Sequence, residues 1–273
     1  MTLVSGTYSA NVTWRQVDSP YLVTGDVTVS SGARLTIEPG VEVRFMPTQD
    51  DQSSGQDSNR SELHIRGQLI AEGTAADSIR FTSNASNPSS GDWYGIYIGN
   101  SGTSHVISHA VIEYATYGMY WESEYGSENT SALVENSVFR KLGTALFIRY
   151  VNHTVNLSDN RFDSINSNAI YYLGNTDRGS VAIERNITNG HSISVDRVGK
   201  VSLVENFLEE EESPVYEGQT ALRLVRIGEL TVRGNKINNM GTAISVSGIS
   251  YQQHYVRVIR IPLPGQLHFP ACL

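Results

Sequence analysis

Tyr97, Tyr120, Phe147 and Tyr171 recur at one position of a pattern that returns about every 20 to 29 residues. Two residues beyond each of them stand Gly99, Glu122, Arg149 and Leu173, and this second file continues to Asp196. Carboxylates beside an arginine are groups that hydrolysis, or proton abstraction from a uronate, would use. Aromatic side chains on successive repeats could stack against sugar rings or anchor a protein partner, and they could equally brace neighbouring repeats. The choice between these roles depends on the elements that place the residues.

Other chemistries leave no comparable trace. There is no Ser-His-Asp order, H-E-x-x-H, Walker loop or G-x-G-x-x-G. His105, His109, His153 and His191 fall on different repeats, and Cys272 is the only cysteine, so neither a metal nor a cofactor is expected. The acid-rich EYGSE segment, with Glu122, Glu124 and Glu128, reads as a solvated loop. With 28 acidic against 20 basic side chains, the chain has a formal charge of -8 and no general attraction for phosphate backbones or anionic bilayers. Nucleic acid is therefore not an expected partner. No apolar run reaches the roughly 18 residues a spanning helix needs, so membrane insertion is not expected either. The opening MTLVSGTYSANVTW lacks a basic, hydrophobic leader and reads as the start of a cytosolic chain, a mature chain or a fragment.

Two series of short apolar runs organise the chain. One contains WYGIYI, YGMYW, TALFI, NAIYY, ISV, TALRL and TAISV; the other contains VIEYA, LVENSVF, NLSDNRF, AIERNIT, SLVENFL and TVRGNKI. Both alternate with period two, so each run reads as a short strand. A fixed superperiod of short strands predicts stacked coils around a narrow core. Ile96, Met119, Leu146, Ile170, Ile193, Leu222 and Ile244 should point inward, followed by Ile98, Trp121, Ile148, Tyr172, Val195, Leu224 and Val246. Leu133, Leu157, Ile183, Leu203 and Val232 should form a further inward file.

Asn136, Asn160, Asn186, Asn206 and Asn235 share one coil position, with His109 taking it one coil earlier. At rung spacings of about 4.8 Å, stacked carboxamides could satisfy one another and the backbone of an inward bend. The expectation is an all-β, single-stranded parallel β-helix with an internal asparagine ladder. Residues 1–20 should cap it, 21–250 should form the coils, and 251–273 should be an irregular tail or cap. The polar run 48–61 reads as a mobile extruded loop, and EEEESPVYEG at 209–218 as an acidic bulge.

The stretch SPYLVTGDVTVSSGARLTIEPGVEVRF, followed by LHIRGQLIAEGT, SIRFTS and WYGIYI, resembles the opening of right-handed parallel β-helix repeat proteins of the pectate-lyase-like surface and secreted group. The resemblance spans roughly residues 14 to 248 and implies right-handed coiling, a secreted or cell-surface location and work on or beside carbohydrate. Enzymes of that group bind calcium through clustered aspartates, and no such cluster stands in this sequence. Glu122 and Asp196 should lie three rungs, about 14 Å, apart, which is wide for a glycosidase pair. The expected function is a non-catalytic scaffold that binds a polysaccharide, a glycoprotein or neighbouring domains of a longer protein. A polysaccharide lyase or glycoside hydrolase is the alternative.

Overall fold

The computed structural model of the chain describes residues 1–99, 103–123, 131–150, 154–174, 179–209, 220–238, 240, 242–248 and the strand Tyr255–Arg257. The sequence features at Glu124, Glu128, Asn129, Asn152, His153, most of the acidic bulge and nearly all of the tail lie outside these residues.

Described strands pair only in parallel, and those between the two ends join the equivalent strands of the coils before and after. Three stacks result. The first runs through Glu62–Ile65, Gly95–Gly99, Tyr117–Glu122, Thr144–Arg149 and Ile170–Leu173 into the opening halves of Ile193–Val204 and Thr220–Arg233. The second runs through Gln68–Glu72, His105–Ser108, Ala132–Glu135, Thr154–Ser158 and Ser180–Glu184. The third runs through Ile79–Ser83, Ala110–Glu113, Val138–Leu142, Arg161–Ile165 and Ile187–Asn189. This repeating order is that of a β-helix solenoid. The stretch expected as a cap is itself built of strands: Thr2–Tyr8 pairs with Tyr21–Val29, and Val12–Trp14 with Arg34–Ile37. Trp14 stacks on Tyr21 at 4.9 Å and closes the first coil from inside.

Parallel in-register pairing brings like positions together, and alternation sends every second residue into the core. Ile96, Met119, Leu146, Ile170, Ile193 and Leu222 are fully buried, as are Ile98, Trp121, Ile148, Val195 and Leu224. Tyr172 is buried with them, while Ile244 and Val246 pack on the core's edge. Trp93 lies against Phe45 at 3.8 Å and donates its indole N–H to the Glu113 carbonyl. The polar run at 48–61 is a largely exposed, strand-free loop between two strands, as expected, and hydrogen bonds tie it to the coil. Asp50 accepts the backbone N–H groups of Asp26, Gln52 and Ser54, and Asp26 accepts the Glu62 N–H and the Ser54 hydroxyl.

The bend between the second and third stacks carries the repeated polar position. Asn160 Nδ2 donates to the Val134 carbonyl at 2.8 Å and to Asn186 Oδ1 at 3.1 Å. Asn186 and Asn206 repeat the arrangement one coil on, each toward the next asparagine and the carbonyl of the coil before. The same oxygens accept backbone N–H groups: Asn160 from Ser137, Asn186 from Asn160, Asn206 from Asn186 and Asn235 from Asn206.

Two expected members do not occupy this position. Val134, not Leu133, pairs with Leu157 and is fully buried, so the bend three residues later falls on Ser137. Ser137 accepts the Ala110 N–H through its hydroxyl. Asn136 is exposed and His109 half-buried, each one residue earlier, at positive φ of 49°. They share that left-handed corner with Asp159, Arg185, Glu205 and Gly234. Asparagine tolerates this backbone region, which explains Asn136 without any inward role.

Two outcomes follow. Asn206→Ala strands the Asn186 N–H and the Ile183 carbonyl and should cost on the order of 1–3 kcal/mol in urea denaturation; Ser137→Ala should also destabilise, whereas Asn136→Gly should be neutral or stabilising. A loss at Asn136 with none at Ser137 would reverse the assignment. The second concerns pH. Burial holds the imidazoles of His105 and His191 down at about 4, below the ordinary histidine value of 6.5. The unfolded chain therefore binds protons first as pH falls, so stability contributed by the neutral rings is present above about pH 6.5 and drains away toward about pH 4. His105 Nδ1 and His191 Nε2 accept the Leu69 and Ile165 N–H groups, so His105→Asn with His191→Gln keeps an acceptor and should flatten the urea midpoint across that window.

Candidate functional site

Stack one positions the residues with which the sequence argument began. His64, Tyr97, Tyr120, Phe147 and Tyr171 face outward on consecutive rungs, and the file continues to Ser194, Arg223 and Ser245. Because the register is parallel, like residues meet directly. Tyr97 and Tyr120 approach at 5.3 Å nearly edge to face, as do Tyr120 and Phe147 at 5.0 Å. Phe147 and Tyr171 are stacked at 5.0 Å. Tyr97 and Tyr120 are 9% exposed, while Phe147 and Tyr171 are half-buried.

A second aromatic row had not been expected. Tyr94 and Tyr117 lie 5.5 Å apart, and Tyr117 stacks on Tyr120 at 5.1 Å. Both precede a glycine, and a side chain on Gly95 would meet the Tyr117 carbonyl at 2.2 Å. The repeated Tyr-Gly pair was the available signal. Gly99 has a related use: an added Cβ there would sit 2.8 Å from the Tyr97 ring, so the glycine lets that ring lie across the next file. Burial, with Glu122 and Tyr120 nearby, pushes the Tyr97 phenol up to about 12 and raises Tyr94 as well. These phenols are neutral hydrogen-bonding groups at ordinary pH, not bases.

The charged file pairs within itself. Glu122 Oε1 lies 3.2 Å from Arg149 Nε, and Tyr120 donates its hydroxyl to Glu122 Oε2 at 3.0 Å. Arg149 also covers the Tyr150 ring at 4.5 Å. Asp196 stands three rungs from Glu122, after Arg149 and Leu173, and is held by two guanidinium hydrogen bonds from Arg226. The structure thus brings Glu122 and Arg149 together with the aromatic strip and leaves Asp196 apart. At the strip's other end, Arg66 Nε donates to His64 Nε2 at 3.3 Å, which places the ring proton on Nδ1, 3.2 Å from Glu62 Oε1. Glu62, His64 and Arg66 alternate with inward Leu63 and Ile65 in ELHIR, so period two marks them as outward; the interruption at 48–61 hid their coil phase.

This arrangement supplies hydroxyls, guanidinium groups and ring edges along one face. A hydrolytic pair needs one carboxyl that can hold a proton beside a second carboxylate. Glu122 and Asp196 are each held in an ion pair instead, and no group of three or more metal-ligating side chains is found among the described residues. No helix there is long and apolar enough to cross a membrane.

The strip should be energetically continuous. A double-mutant cycle of Phe147→Ala and Tyr171→Ala in urea should return a coupling of about 0.5–1.5 kcal/mol; strict additivity would mean that the stacked rings act separately.

Comparison with known proteins agrees with the architecture over part of the chain. A sequence-family profile described as a pectate-lyase like beta helix domain matches residues 6–127. "Protein bark beetle" of Drosophila melanogaster is 41% identical over 75 residues, which is 27% of this chain and 2% of that protein. No solved structure matches significantly. The chain resembles that family over its N-terminal coils and is similar to a small fraction of the much longer relative.

Proposed function

We propose that the chain is a non-catalytic, right-handed single-stranded β-helix module of an extracellular or cell-surface protein, whose first-stack face binds a glycan or the glycan of a glycoprotein. In this reading the stacked asparagines are the structural ladder, residues 1–20 close one end and 21–250 form the coils. The observation that carries the reading is the row formed by Tyr97, Tyr120, Phe147 and Tyr171 with the Glu122–Arg149 pair at its border.

The manner of binding follows from ring geometry. Tyr97, Tyr120 and Phe147 meet edge to face and Phe147 stacks on Tyr171, so the rings spend much of their faces on one another and the phenolic oxygens are the polar groups the row can offer. Such a surface suits hydrogen bonding to a polyol, with Arg66 and Arg149 as planar donors at its margin. The alternative, a lyase or hydrolase, requires carboxylates free of the ion pairs that hold Glu122 and Asp196. It has less support.

The test is a glycan array with wild type and with Tyr97→Phe/Tyr120→Phe/Tyr171→Phe. That variant keeps the stacked rings and removes only the hydroxyls; the triple alanine variant serves as a second arm. We expect at least a tenfold loss of glycan binding in the phenylalanine variant, with a thermal transition lowered only by the loss of the Tyr120–Glu122 hydrogen bond. Equal binding by both variants and wild type would remove the strip from the mechanism. Product assays on acidic polysaccharides should show no release of reducing or unsaturated ends, and sustained turnover would overturn the non-catalytic reading.

A further inference from the structure

The fold sorts the chain's Asn-x-Ser/Thr triplets by what each amide nitrogen is already doing. Triplets begin at Asn11, Asn84, Asn129, Asn152, Asn156 and Asn186. Asn186 is fully buried, its Nδ2 committed to the Leu157 carbonyl at 2.8 Å and to Asn206 Oδ1 at 3.1 Å. Thr188, the third residue of that triplet, is fully buried too. A sugar on Asn186 would remove donors from the bend and push its coil off the next. Asn84 is half-buried, with Nδ2 turned toward the Met46 sulfur at 3.5 Å. Asn129 and Asn152 lie outside the described residues.

Asn11 is exposed just before the strand Val12–Trp14, and Asn156, also exposed, differs from it in lying on a strand face with distinct neighbours. It is exposed on the strand Thr154–Ser158, between inward Val155 and Leu157, so it projects from the outer face of the second stack. Its file reads Val106, Leu133, Asn156, Ala182 and Ser202 on consecutive rungs. On one side Ala182 and Ser202 are small, leaving room for a ring above the sheet. On the other side Leu133 and Val106 are only half-buried and offer an apolar ledge to the C–H face of a sugar. Thr154 and Ser158 flank it with hydroxyls.

We propose that Asn156 is an N-glycan acceptor and that the glycan lies over the outer face of the second stack; this rests on the extracellular reading above. The donor class is a lipid-linked oligosaccharide diphosphate. The bond from Asn156 Nδ2 to sugar C1 forms as the bond from C1 to the diphosphate oxygen breaks. The diphosphate leaves with the electron pair, and the amide gives up one proton. The modified face would then be shielded, while the tyrosine strip on the first stack stays open to a partner.

The experiment secretes the full chain from insect or mammalian cells behind an added leader and isolates the folded, soluble product. Enzymatic glycan release in heavy-oxygen water, followed by peptide mapping, converts each occupied asparagine to labelled aspartate. We expect label at Asn156 in most molecules and unmodified Asn186. Asn156→Gln and Ser158→Ala should each remove the mass of one glycan, the second while leaving the acceptor side chain in place. A secreted chain labelled at Asn11 but bare at Asn156, or bare at every triplet, overturns the acceptor and leaves the extracellular reading untouched. That reading falls separately if the native protein, without the added leader, is found only in the cytosol.

Discussion

Each coil must turn its backbone inward between the second and third stacks, where water does not reach, and satisfying the polar groups of that bend is the constraint on which the other features rest. An N–H or C=O left unpaired there costs about 1–3 kcal/mol, and the bend recurs on coil after coil. A carboxamide meets the need on both sides at once: its nitrogen reaches the carbonyl of the preceding coil while its oxygen accepts that coil's N–H. Serine manages the accepting half at Ser137, and on the coil before it the position falls to Ala110, whose N–H is served from above. Because the bends must superimpose for these bonds to form, coil register is fixed. The outward files are fixed with it, although none of their residues touches the bend.

Fixed register has an electrostatic consequence. Outward side chains in a parallel stack face residues at the same position of adjacent coils, so opposite charges placed there find one another. Glu113 shows the limiting case. Burial alone would raise its pKa, but hydrogen bonds from Thr82, Arg80 and Arg140 outweigh that and hold it below the usual carboxylate range. Glu122 beside Arg149 is a milder version at the edge of the tyrosine strip. The feature that makes a file of acids and arginines look catalytic in sequence therefore tends to neutralise it in the fold. Activity would require a carboxylate whose rung neighbours cannot pair with it.

The fold was legible because core identity repeats and alternates, so the first-stack columns emerge from spacing alone. The phase of the bend was harder to read, and one tetrapeptide explains why. Leu-Val-Glu-Asn occurs at 133–136 and 203–206. In the second copy Leu203 points inward and Asn206 takes the bend; in the first Val134 points inward and the bend falls on Ser137. The local sequence is the same, but the strand pairs one residue later. The deciding signal lay downstream, where Phe139 follows Ser137 by two, as Phe162 follows Asn160 and Leu208 follows Asn206, all fully buried. A large apolar residue that must fill the core outweighs a polar one that can sit in a left-handed corner. His64 was hidden for a different reason, since the run at 48–61 displaces the coil period just before it.

The same division of labour bears on where function can reside. Inward positions and the bend are bound to their roles by packing and hydrogen bonding, so their chemistry is nearly invariant along the axis. Outward positions are constrained only by their rung neighbours. The first-stack file can therefore change from aromatic to Ser194 and Arg223 while the residues that flank them inward, Ile193 and Val195 and then Leu222 and Leu224, stay fully buried. That abrupt change is informative, because a purely structural need for stacked rings would extend to every coil of the stack. Ile193, Leu222 and their neighbours pack just as fully without aromatic cover. The strip is thus local to consecutive coils of the stack, a distribution that supports the binding role proposed for this face.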